Sequence, residues 1–483
     1  MVTQLPRLVL VVLLFASCGK GGNKKIHKDD AGSAAAPVAA PISLPVLGVD
    51  KITRFNSSVD SKTQSFEKKG EWQEVRKLTE QAIAKDAMNL DAQRLLGIAL
   101  ANTGEQAAAV DHLVAAIAGD YYRYGTALAA EPALKDFLMT QHGQAVTQLA
   151  GQIRDEYAKR IKTALWLVGR RAKPSASSSR GEVYAYDREN KRYYKLTHTG
   201  DQVAGFIRAR SGNEIAIVGY DKTSSGAPPM ITRGWVQAFE TAEWKNTTPK
   251  MQLNAARAIS IYYGDGDQLL VGAAPAQGRW DLGAWTVWSV DRSSGKLTKV
   301  ATPLGGPRIE LTLDEGRVIP AKVIEGVQAQ WAGEPGRAPQ LQIVGAPSLQ
   351  VPESGQAAQE TVSVAPANTF VAFATAVDPC SKDAAPSLYV ANGKTGALKH
   401  VLTAKSRFGT RWIDTTQLAY EDGDGAIRIW DATSSRESQK LDNKAGIALD
   451  VLSPSSAPLC KQAPPTPDGG GSDELPPEEP AKP

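Results

Sequence analysis

Nucleophilic catalysis needs a serine or cysteine beside a base, with an acid to orient that base. No Gly-x-Ser-x-Gly elbow occurs in the chain. Five histidines and three cysteines among 483 residues leave little material for a metal-centred enzyme. His198 and His400 fall at the ends of predicted strands and read as surface polar residues, while His112 reads as part of a helix face. The acidic turns Asp265-Gly266-Asp267 and Asp422-Gly423-Asp424-Gly425 offer oxygens to a calcium ion but lack the glutamate that completes such a loop. They read instead as hairpin turns, where Asp-Gly supplies positive φ. Glycine-rich phosphate loops and paired Cys-x-x-Cys motifs are absent, so no catalytic residue, metal ligand or cofactor is assigned. Tryptophan is the remaining chemistry. Trp288 and Trp430 lie within predicted strands and are expected in the core between sheets. Trp280 and Trp331 stand in loop-like surroundings and are the candidates for an exposed binding patch.

The elements that position these residues belong to a largely folded chain. Hydrophobic residues make up 42% and charged ones 22%, an ordinary globular balance that sets aside wholesale disorder and a multispanning membrane protein. A net charge of +4 is too small for the footprint of a dedicated nucleic-acid binder.

The N-terminus reads as an address. Arg7 precedes the apolar run Leu8 to Phe15, then Ala16-Ser17-Cys18. That run is far short of the roughly 20 residues that span a bilayer but suits the core of a signal peptide over residues 1–17. Phe15-Ala16-Ser17-Cys18 resembles a bacterial lipoprotein box, with Phe15 in place of the usual leucine. The resemblance implies lipidation of Cys18 and a membrane attachment through the lipid alone. Gly19 stands where inner-membrane retention would place aspartate, which favours the outer membrane, facing the periplasm or the cell surface. Residues 18–46 are poor in large apolar side chains and read as a lipidated flexible tether. With Cys18 consumed, Cys380 and Cys460 remain in an oxidising compartment. They form either a disulfide, worth roughly 4–5 kcal/mol by the chain-entropy model, or two free thiols. Residues 456–483 are rich in proline and acids and read as a disordered tail.

Residues 47–163 hold few prolines, and apolar positions such as Val75, Leu78, Ala82 and Leu95, Leu96, Ala99, Leu100 recur at helical spacing. Gly70 and Gly104, and Ala82 and Ala116, share one offset of 34 residues. With Leu96-Gly97, Ala109 and Leu113 this resembles a tetratricopeptide repeat. About two units are too few to stand alone, so stretches near Pro132 to Thr140 and Ala145 to Ile161 should cap them. The helices read either as a peptide groove or as a spacer packed on the next domain.

After Ala164 the period shifts to two. A unit recurs over residues 164–455: an apolar strand, an Asp or Asn turn, then a second strand. It appears at Val183 to Asp187, Trp285 to Asp291, Leu388 to Asn392 and Ile427 to Asp431, with a weaker copy at Trp235 to Trp244 and another at Leu341 to Val344. The spacing is about 49 residues, within the range of four-stranded blades. This region resembles WD-repeat and TolB-type β-propellers, with Trp430-Asp431 matching the dipeptide of the first family. The resemblance implies an all-β propeller of about six blades following the all-α tetratricopeptide-like domain. Its ring should close by pairing Ile447 to Leu452 with Ala164 to Val168, and a sandwich or two smaller β domains is the alternative. The function expected is a non-enzymatic, protein-binding scaffold or assembly factor of the cell envelope, its partners envelope proteins rather than nucleic acid. A propeller enzyme on envelope glycans or peptides, or a carbohydrate-binding module, is the alternative.

Overall fold

The computed structural model describes residues 44–171, 180–441 and Ile447–Asp450, apart from 210, 222, 225–229, 254–255, 276–284, 302–307, 315–316, 319–321, 325–328, 333–339, 344–346, 351–355, 358–361, 377–386, 404–409 and 422–425. The expected signal peptide, Cys18, Trp280, Cys380, Cys460 and the expected acidic tail lie outside the described residues.

Helices come first. Asp60 and Asn89 cap α1 (Ser61–Lys69) and α3 (Leu90–Thr103) by accepting the amides of Thr63 and Ala92. Gly70 and Gly104 then end these helices with φ of 70° and 91°, a left-handed conformation that a β-carbon would strain. Each glycine leads at once into a second helix, α2 (Trp72–Lys85) or α4 (Gln106–Gly119). The shared spacing of Gly70 and Gly104 therefore marks equivalent turns of two successive helical hairpins. Gly97 permits the approach of α3 to α4, since a β-carbon there would lie 2.7 Å from Leu113 Cγ. Tight turns between Tyr121 and Leu134 lead to α5 (Lys135–Leu138) and the long α6 (Gln141–Thr163), which buries Val146, Leu149, Ile153, Tyr157 and Ile161 along one face.

Beyond Ala164 the described elements are antiparallel strands, with short 3-10 turns at 265–267 and 366–368. Val203–Arg208, Glu214–Tyr220, Gly234–Glu240 and Met251–Leu253 pair in chain order. So do Ala256–Tyr263, Leu269–Pro275, Thr286–Val290 and Leu297–Val300, and Thr410–Trp412, Gln417–Glu421, Ile427–Asp431 and Arg436–Leu441. The two ends of the region meet: Leu165–Arg171 pairs with Gly181–Asp187 on one edge and with Ile447–Asp450 on the other, Val168 opposite Asp450 and Arg171 opposite Ile447. This last contact covers the otherwise open edge of Leu165–Arg171.

The sheets are not cleanly separate. Ala256–Tyr263 also pairs with Arg308–Asp314, Ile259 opposite Leu311, so two of the expected units share one sheet. The strand Ala256–Tyr263 is buried at seven of its eight positions, and a strand with two apolar faces can bond along both edges. Trp331, expected in a loop, stands in the strand Ala329–Ala332 with Leu341 as its cross-strand partner.

The repeated turn has one physical cause. Asp187 accepts the amides of Glu189 and Asn190, Asn392 those of Lys394 and Thr395, and Asp431 those of Thr433 and Ser434, while Asp291 accepts that of Ser294. Four residues after each acceptor φ is positive, at Lys191, Gly396, Ser435 and Gly295. Glu240 does the same for Ala242 and Glu243, and Trp244 takes the positive φ. A longer acid in the capping position explains why this copy is faint in the sequence.

Candidate functional site

One hydrophobic core runs from the helices into the first strands. Val49 exchanges both backbone hydrogen bonds with Tyr193, at 3.0 and 2.8 Å, and Gly48 donates to the carbonyl of Ala118. Tyr157 on α6 donates to the same carbonyl at 2.6 Å and meets the Tyr194 ring edge-on. Burial pushes the Tyr157 hydroxyl well above the ordinary tyrosine range. Tyr122 donates to the carbonyl of Thr241 and packs on Trp244. At the same junction His198 Nε2 lies 2.9 Å from Asp120 Oδ2, and Asp120 is 1% exposed, its Oδ1 without a hydrogen-bond partner among the described residues. His198 is exposed, as expected of a surface residue, and also joins the two regions. His400 is exposed as well, 3.0 Å from Thr403 Oγ1.

The helical face that a peptide groove would use is filled by the chain itself. Leu128, Leu134 and Phe137 are buried there. Arg94 on α3 pairs with Glu131 at 3.1 Å and Glu67 at 2.9 Å, and Asn102 donates to the carbonyl of Ala133. Tyr124 donates to Asp91, and Arg123 pairs with it at 3.0 Å. A cavity of about 30 Å³ remains beside Ile98, Leu113, Leu128 and Leu134, room for about one water molecule.

A larger cleft, about 330 Å³, opens where the end of α6 meets the first and last β units, lined by Thr163, Asp187, Arg188, Glu189, Gln417 and Gln439. Gln439 donates to the Tyr186 hydroxyl at 2.8 Å, and Arg188 reaches Asp414 at 3.7 Å. Asp187 is committed to its turn and to the Tyr194 hydroxyl, so beside the Arg188 guanidinium and the Glu189 carboxylate the cleft presents the amides of Gln417 and Gln439. Its polar lining suits hydrogen-bonded recognition.

A second charged feature has no counterpart among the sequence candidates. The Arg208 guanidinium lies over the Trp166 ring, 4.4 Å from its centroid, and its buried Nε has no hydrogen-bond partner among the described residues. Burial, and then the charge of Arg411, push Arg208 down to about 10. Arg208 ends one strand, Trp166 begins another and Arg411 centres a third, so only the fold brings them together. Nothing in their spacing announces it.

The predicted tryptophans divide differently from expectation. Trp288 and Trp430 are only partly buried, whereas Trp235 is 2% exposed and Trp166 4%. The Asp265-Gly266-Asp267 turn joins two paired strands, with φ of 63° at Gly266, which is the hairpin role. Glu421 pairs with Ile427 on either side of the second acidic turn, itself outside the described residues.

No family model matches the chain, and no curated protein matches it. Among solved structures it is similar to TolB from Acinetobacter baumannii, at 8% identity over 65% of this chain and 70% of that one, with a TM-score of 0.31. It is similar also to BamB from Moraxella catarrhalis, at 13% identity over 57% of this chain and 82% of that one, with a TM-score of 0.27. At such scores the β region is characterised by its own strand pairing.

Proposed function

We propose that this chain is a cell-envelope lipoprotein, anchored through Cys18, that serves as a non-catalytic protein-binding scaffold. In this reading the β region is a propeller of about six blades, and the helical region is a rigid spacer built from tetratricopeptide-like hairpins. Recurrent strand–turn–strand units and the pairing of Leu165–Arg171 with Ile447–Asp450 support the ring. The observation that carries the scaffold reading is the continuous core joining helices and strands. It holds both regions as one block, so a partner docking on either face meets a preorganised surface and binding loses less entropy. The filled helical face argues for the spacer role. The polar cleft lined by Arg188, Gln417 and Gln439 is the docking place favoured on the β side.

Crosslinking with mass spectrometry in the native envelope tests this reading. A stoichiometric envelope protein crosslinked near the cleft, and lost in Arg188→Ala/Gln439→Ala, is the expected result; recovery of no stoichiometric partner sinks the scaffold. Labelling with radioactive palmitate should mark the wild-type chain and spare Cys18→Ser. Equal labelling of both would remove the anchor from the proposal.

A further inference from the structure

A cavity of about 250 Å³ lies where the sheet holding Ser387–Asn392 and Leu398–Thr403 packs against the sheet holding Ile427–Asp431. Phe370, Val390 and Trp430 give it apolar walls. Phe370 is held by stacking on Trp412, with ring centroids 6.1 Å apart. Trp430 is only partly buried, and its Nε1 has no hydrogen-bond partner among the described residues, so no hydrogen bond pins the indole against an occupant. Around the rim the acids are committed: Asp431 caps its own turn, and Glu437, opposite Trp430, pairs with Arg428. Lys399 lines the cavity, is exposed, and has no acidic partner among the described residues. An apolar chamber beside one uncommitted ammonium fits an apolar group that carries a carboxylate.

Two observations favour a polypeptide end as the source of that group. The cavity is smaller than the roughly 300–1,000 Å³ of small-molecule pockets, so it has room for about one side chain. Lys399 also stands on Leu398–Thr403, which pairs with Ser387–Asn392 along one edge and with no strand among the described residues along the other. Such an edge offers backbone hydrogen bonds to an incoming chain.

We propose that this cavity binds the C-terminal aromatic residue of a partner polypeptide, its ring against Phe370 and Trp430 and its terminal carboxylate on Lys399. The site shares no lining residue with the cleft at Arg188 and Gln439 and does not depend on lipidation, so the two proposals stand or fall separately.

The test measures fluorescence anisotropy of the pentapeptide Gly-Ser-Gly-Ser-Phe, labelled at its N-terminus and free at its C-terminus, against the full chain. Saturable binding is expected. It should be roughly fivefold weaker when the peptide's carboxylate is amidated and in Lys399→Gln, and about tenfold weaker when alanine replaces the peptide's phenylalanine. Lys399→Arg should retain most of the binding. Ala397→Glu, at an exposed residue lining the cavity, should weaken it further than Lys399→Gln does, because a carboxylate there repels the peptide's own. Near-UV circular dichroism verifies that each variant is folded. Absence of saturable binding, or binding indifferent to both amidation and Lys399→Gln, overturns the proposal. Competition by N-acetylphenylalanine as strong as by the unlabelled pentapeptide would assign the cavity to a small carboxylic acid and overturn the polypeptide assignment.

Discussion

His198 Nε2 and Asp120 Oδ2 are 78 residues apart in sequence and 2.9 Å apart in space, and through them the β region holds the last turn of α4. The carboxylate is almost fully buried, so the imidazole is its one described hydrogen-bond partner on that oxygen. His198→Ala should destabilise the fold by about 1–3 kcal/mol, because a buried acceptor loses its donor. Asp120→Asn, which keeps an oxygen for the ring, should cost less. Urea unfolding of both variants checks the order, and a milder effect for His198→Ala would mean that the junction is held by its aromatic packing alone.

The repeated turn makes a paired prediction. Ser435 holds φ of 50° where Gly396 holds 70° in the equivalent place. Ser435→Gly should stabilise by about 0.5–1 kcal/mol and Gly396→Ala should cost about 1 kcal/mol, since a β-carbon disfavours the left-handed region. A β-carbon at 396 would approach nothing closer than Leu349 Cδ2 at 3.8 Å, so the backbone alone is tested. Thermal midpoints shifting in the same direction for both variants would refute the equivalence of the turns.

Asp291 sets a pH dependence. Hydrogen bonds from the Ser294 amide and the Ser294 and Ser293 hydroxyls hold its carboxyl at about 2, below the ordinary 3.8. Because the folded value is the lower one, the turn's contribution is complete above the ordinary carboxylate range. It is lost as pH falls from there towards 2. Carboxyl-carbon NMR should place the Asp291 midpoint near 2 in the wild type. In Ser293→Ala/Ser294→Ala it should move upward, and an unmoved midpoint would assign the depression to another cause.

The ends of the β region meet through Ile447–Asp450, in which Leu449 lies opposite Gly169. Leu449→Pro forces φ in the middle of that paired segment and takes away a backbone amide. Hydrogen exchange should show lost protection across Leu165–Arg171 while α2 and α3 keep theirs. Unchanged protection of Leu165–Arg171 would mean that the terminal strand is dispensable.

Local chemistry explains what was readable in the chain beforehand. Gly70 and Gly104 declare their left-handed turns because glycine tolerates them, and Asp187, Asp291, Asn392 and Asp431 declare hairpins because their short side chains cap the following amides. The meeting of Leu165–Arg171 with Ile447–Asp450 was also legible, from an unpaired strand at each end of the repeats. Long-range placement was not. The partnership of His198 with Asp120, the filling of the helical face by Leu128 and Leu134, and the gathering of Arg208, Trp166 and Arg411 depend on where distant segments pack. Trp288 and Trp430 look alike in their strands yet are only partly buried, while Trp235 is enclosed. The alternation of a strand shows that two faces exist; only the tertiary structure decides which of them another sheet covers.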